Sequence, residues 1–103
     1  MSTAEQHKLP SECTNIQDVR NEIDKIDHTI IQLLSQRFEY VKEVVKYKEN
    51  TPSSIQAEGR RQEVLRCRRQ WAEENGLSAD VIEEIYDKLI AYFIAEEMKI
   101  KNL

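Results

Sequence analysis

A chain of 103 residues with two glycines and two prolines is the size of one small domain with few places to turn, so helices must dominate; strand signals are absent. Charged residues reach 33% and hydrophobic ones 40%, apolar material enough for a core if surfaces are shared between chains. The formal charge of -4 gives no reason to expect nucleic acid or an anionic membrane as partner, MSTAEQHKLPSE carries no apolar signal stretch, and no segment approaches about eighteen uncharged apolar residues, which together point to a soluble cytoplasmic protein.

Residues 1–13 read as a flexible polar tail. Thr14 and Gln17 then have the spacing of a capping box, which starts a first helix at Ile16. Its apolar stripe runs Ile16, Val19, Ile23, Ile26, Ile30, Leu33, Arg37, Val41, Val44 and Lys48, in steps of three and four. Nothing stops it before the run Glu49 to Ser54, so it should cover about 34 residues and about 51 Å. A compact monomer of this length has a radius of gyration near 13 Å, so a second copy is expected to cover so long a helix.

Arg37 and Lys48 occupy positions on that stripe where a hydrophobic residue is expected. Eleven residues separate them, about 20° off one helical face and about 16 Å along the axis, a gap that admits a small dicarboxylate. The alternative is that each cation extends to solvent or pairs with a helix neighbour. Arg20 lies seventeen residues before Arg37 and about 100° away around the helix, so it cannot reach the same pocket within one helix. It either pairs with Asp24 or Asp27 or, in an antiparallel dimer, comes opposite Arg37 or Lys48 of the other copy.

Thr51, Pro52, Ser53 and Ser54 read either as a mobile flap beside Lys48 or as an ordinary helix connection. A second helix should run from Gln56 or Ala57 to Asn75 and Gly76. Its arginines, Arg60, Arg61, Arg66, Arg68 and Arg69, spread around the helix and build no single nucleic-acid face. Arg60 alone shares a stripe with Val64, Cys67 and Trp71 and is a second candidate for an inward cation. Cys13 and Cys67 match no metal-ligand spacing and read as buried or inert thiols.

Ser78 is the expected N-cap of a third helix, with Ile82, Ile85, Tyr86, Leu89, Phe93 and Ile100 forming its apolar face to about Lys101. Glu97 sits among Phe93, Ile94, Ile100 and Lys101. A carboxyl on an apolar face can keep its proton and donate a hydrogen bond, or it can pair with Lys101. His7 and His28 read as surface residues, and no nucleophile triad, Gly-rich phosphate loop or metal motif is present.

The stretch DVRNEIDKIDHTIIQLLSQRFEYVKEVVKYK resembles the first helix of the all-α chorismate mutase class, which has an Arg early, an Arg about seventeen residues later and a Lys eleven beyond that. These fall on Arg20, Arg37 and Lys48. ECTN, QWAEENGL and FIAEEMK resemble the isochorismate-pyruvate lyase branch, and the likeness covers about residues 12–101. It implies an all-α, three-helix subunit in an intertwined homodimer, with residues 14–103 as its single domain. It also implies pericyclic chemistry without a cofactor or metal on a small dicarboxylate: isochorismate to salicylate and pyruvate, or chorismate to prephenate. A catalytically silent dimerisation module is the alternative from another class.

By the same resemblance, Arg37 and the other copy's Arg20 hold substrate carboxylates and Arg60 matches an arginine that follows the loop. Val41 and Ile94 complete the substrate-binding set, while Lys48 and Glu97 are the catalytic pair at the ether oxygen. Two departures stand out. Arg61 replaces the Glu with which many mutases meet the substrate's C4 hydroxyl, compatible with isochorismate, whose hydroxyl is at C2. Glu97 replaces a Gln that donates to the ether oxygen, a role Glu97 could fill only when protonated.

Overall fold

The computed structural model describes residues 7–103, which are helical with no strand among them. After a 3-10 turn at Pro10–Glu12 come α1 (Ile16–Val44), a second 3-10 turn (Val45–Tyr47), α2 (Pro52–Gln56), α3 (Glu58–Glu74) and α4 (Ala79–Lys101). The three long helices are the three expected, with boundaries moved by a few residues. The chain divides into two compact units, one ending at Arg37 and the other running from Phe38 to Leu103.

In the first unit, the start of α1 is capped one residue later than its sequence suggests. Asn15 Oδ1 accepts from the Asp18 amide at 2.9 Å, while Asp18 Oδ2 accepts from the Thr14 amide and hydroxyl, both at 3.1 Å. The Thr14–Gln17 box does not form, because Asn15 is an equally good cap and Gln17 Nε2 bonds forward to Asn21 Oδ1 at 2.8 Å. The first six residues of the expected tail lie outside the described residues. Residues 7–13 run back along α1: the Lys8 amide donates to Glu22 Oε1 at 3.1 Å, and Lys8 Nζ lies 3.2 Å from Asp18 Oδ2.

The Thr14 amide, followed by Lys8, holds the Asp18 carboxyl below its ordinary range, and Lys25 does most to lower that of Glu22. Along the rest of this unit Ile16, Val19, Ile23, Ile26, Ile30 and Leu33 are 43–64% exposed. An apolar stripe of that extent left in water is unusual for a folded helix.

The second unit holds the buried core. Val64 and Leu65 of α3 pack with Ile90 of α4, flanked by Tyr86 and Ile94. Val45, Ile55, Ala72 and Phe93 are also buried. The Phe38 ring stacks on Phe93 with centroids 5.3 Å apart. The α3–α4 turn is set by Gly76, whose φ of 72° suits a residue without Cβ, and by Leu77, whose amide reaches back to the Ala72 carbonyl at 2.8 Å. Ser78 then caps α4, accepting from the Val81 amide at 3.2 Å.

The α3 arginines are divided among separate partners, as their angular spread implies. Arg61 reaches Asp87 at 2.6 Å, Arg69 bridges Asp80 and Glu83 at 2.8 and 2.9 Å, and Arg68 lies over the Trp71 ring at 4.4 Å. Asp80 and then Glu83 raise the Arg69 pKa above its already high ordinary value. Cys13 and Cys67 are free thiols of intermediate exposure.

The loop expected after the first helix is largely folded. Thr51 is extended (φ -129°, ψ 148°), as a residue before proline must be, and its hydroxyl accepts from the Ser54 amide at 3.2 Å. Pro52 then opens α2, which closes at Ala57 in the left-handed conformation (φ 44°, ψ 58°).

Candidate active site

Two partners converge on Lys48, one seven residues along the chain and one forty-nine. The α-helical part of α1 ends at Val44 and the following 3-10 turn at Tyr47, with Lys48 as its C-cap in an extended conformation (φ -98°, ψ 149°). Lys48 is therefore not a residue of the α1 stripe, and the face it shares with Arg37 on an ideal helix is not the geometry that places it. Its ammonium group is placed by the partners it finds in the second unit.

Those partners are a carboxylate and a carbonyl. Lys48 Nζ donates to Glu97 Oε1 at 2.7 Å and to the Ile55 carbonyl oxygen at 2.9 Å. Glu97 is carried by α4 four residues after Phe93, which puts both on the buried face of that helix. Its side chain is 6% exposed and that of Lys48 19%. Buried charge is tolerated when it is paired, and here the expected Lys101 partner is replaced by Lys48.

An ammonium group has three protons, so Lys48 retains one after its two protein bonds. A fixed cation with one uncommitted proton can stabilise an oxygen that gains negative charge, without nucleophile or proton transfer. The adjacent carboxyl sets the net charge of the arrangement, near zero when ionised and positive when protonated.

The remaining site candidates fall in different places. Val41 and Ile94 are partly buried in the second unit, and Ile94 packs on the Val64, Leu65 and Ile90 cluster. Arg60 is exposed and pairs with Glu63 on its own helix, so within one chain it does not turn inward. Arg37 is partly buried, whereas Arg20 is exposed and pairs with neither Asp24 nor Asp27. Asp24 stands at i+4 from Arg20, but an exposed pair of this kind gains only about 0.3–0.5 kcal/mol.

The Ile55 carbonyl was missed by sequence reasoning, which follows side chains. One signal was available: Ile55 is the one large aliphatic residue between Tyr47 and Val64, in a run otherwise suited to solvent. A lone aliphatic side chain in a polar connection marks where that connection is pinned to a core.

The chain is similar to known proteins over most of its length. The family model for type II chorismate mutases matches residues 19–98. An isochorismate pyruvate lyase of Pseudomonas aeruginosa is 40% identical over 92 residues, which cover 89% of this chain and 90% of that protein. A T-protein of Haemophilus influenzae is 38% identical over 82 residues, 80% of this chain but 22% of that protein.

Proposed function

The chain belongs to the type II chorismate mutase family, and from that premise we propose that it is an isochorismate-pyruvate lyase, with chorismate mutase as a side activity. The observation that carries the choice of lyase is the 40% identity to a lyase across nearly the full length of both chains. The geometry fits the reaction. As the ring hydrogen passes to the enolpyruvyl methylene and the carbon–oxygen ether bond breaks, the products are pyruvate and an aromatic salicylate, and negative charge grows on the ether oxygen. Lys48, held by Glu97 and Ile55, is the fixed cation that such a step requires.

The protein's other contribution is to hold a compact reactive conformer. Arg37 and Arg20 take the substrate carboxylates in this reading, with Arg20 supplied by a second copy, and Val41 and Ile94 line the apolar side. The exposed stripe from Ile16 to Leu33 supports a homodimer, since a second copy of the same helix would cover it. The protein works in the cytoplasm; among the described residues no helix is long and apolar enough to cross a membrane.

Glu97 works protonated in this reading. Ionised, it would cancel much of the Lys48 charge and repel the ether oxygen; protonated, it becomes a donor beside Lys48. The family's own description supports chorismate to prephenate as the second reading. Purified protein incubated with isochorismate and, separately, with chorismate at pH 5 and pH 7.5 separates them. Salicylate fluorescence is the expected signal, prephenate without salicylate would replace the lyase by the mutase, and neither product would leave a silent helical module.

A further inference from the structure

The five residues of α2 are held at both ends and pinned in the middle. Thr51 caps the start, the Glu49 amide donates to Ser54 Oγ at 2.9 Å, and the Ala57 amide closes the end on the Ser53 carbonyl at 3.1 Å. Ile55 is fully buried, with 0% of its surface exposed, more completely than any other described residue of the core. Ala57 is held in a left-handed conformation that residues with a Cβ seldom adopt. So much local definition in a short connection calls for a reason beyond joining two helices.

The reason lies at the C-terminal end of α2. Carbonyls in the last turn of a helix have no intrahelical donor and carry the negative end of the local dipole. The Ile55 carbonyl is one of these, and Lys48 Nζ meets it at 2.9 Å. Glu97 binds the same ammonium from α4 at 2.7 Å. With only one of these partners the four-carbon Lys48 side chain could swing about a single bond; two partners on different elements fix where its remaining proton points.

We infer that Ile55 is a positioning residue: its buried side chain fixes α2 so that its backbone carbonyl, together with Glu97, aims the Lys48 ammonium at the reacting oxygen. The inference rests on the reading of Lys48 as the catalytic cation, and it deepens that reading by assigning α2 the task of orienting it. Ile55 itself touches no substrate. Its effect passes through Lys48.

Two variants loosen α2 from different points. Ile55→Ala removes the anchor, and Thr51→Val removes the cap while keeping side-chain shape and leaving the core intact. Trace acylation with acetic anhydride, read by mass spectrometry, compares the reactivity of Lys48 with that of exposed Lys46 in the same protein. Lys48 should label slowly in the wild type and about tenfold faster, relative to Lys46, in both variants. The variants should also lose about ten- to a hundredfold in kcat/KM, mostly in kcat. In a Lys48→Ala background the same substitutions should cost almost nothing, because there is no ammonium left to aim.

An unchanged Lys48-to-Lys46 labelling ratio in Thr51→Val, with helicity preserved, overturns the inference even if Ile55→Ala fails to fold. Losses in kcat/KM that add fully to that of Lys48→Ala overturn it too, since they would mark a merely structural role. If the wild-type protein turns over neither isochorismate nor chorismate, the proposed function falls, and the labelling ratio alone then decides whether α2 holds Lys48.

Discussion

Lys48 and Glu97 form a pair whose net charge decides what it can do for a departing oxygen. At their 2.7 Å separation an ionised carboxylate offsets most of the field that the ammonium projects. Glu97→Gln keeps an oxygen for Lys48, removes the carboxylate charge and adds an N–H donor, so it should raise kcat/KM by about tenfold at pH 7.5. A variant no faster than wild type at pH 7.5 would remove Glu97 from this role. Lys48→Ala separates chemistry from stability in a different way: it should cut kcat/KM by about 10²–10³-fold and destabilise the fold by about 3 kcal/mol, because it strands a buried acid. The double variant Lys48→Met, Glu97→Leu should regain most of that stability in a denaturant melt yet stay inactive; if the melt shows no recovery, the pair is not a buried-charge liability.

Helix ends carry the strain and the pH sensitivity at the scale of elements. Ala57 and Gly76 both have positive φ, but only Gly76 has the residue type that suits it. A Cβ at Gly76 would meet nothing within 4 Å, so the cost of Gly76→Ala is a backbone cost alone. We expect Ala57→Gly to stabilise and Gly76→Ala to destabilise, each by about 1 kcal/mol and thus by about 4–8 °C in Tm, measured by calorimetry. Opposite signs are the essential result; a loss at both positions would show that Ala57 is not strained. At the start of α1, Asp18 and Glu22 have lowered pKa values and bind residues 8 and 14. Their contribution is fully present above the ordinary carboxylate range and is lost as pH falls through the lowered folded-state values. Amide exchange at Lys8 and Thr14 should therefore be protected at neutral pH and lose that protection in acid, corrected for intrinsic rates; protection that persists after both carboxyls protonate would contradict this.

For the whole molecule the question is what covers the exposed stripe of α1. With a second copy contributing Arg20, Arg20→Ala and Arg37→Ala homodimers should each be inactive. Co-refolded, they form mixed dimers in which one site is intact, restoring roughly a quarter of wild-type activity if pairing is random. Activity that stays at the background of the single variants would place both arginines in sites built from one chain. Ile23→Asp, in the middle of the stripe, should yield a lower-mass species in light scattering, and an unchanged mass would assign the stripe another role.

Local signals were enough for the all-α class, the three long helices and the inward turn of Lys48 and Glu97, though not for Arg60, because helix periodicity, capping and the scarcity of glycine and proline act locally. The Ser78 cap, the Gly76 stop and the spread of the α3 arginines were legible for that reason. Lys48 was picked out by its place in an apolar pattern, although the backbone there is no longer helical. Packing between elements settled that Lys48 rather than Lys101 partners Glu97, that α2 forms, and that the Ile55 carbonyl meets Lys48. The physical reason is sequence distance: Lys48 and Glu97 are 49 residues apart, and no periodicity reports which side chain from another helix will meet a lysine once its own helix has ended.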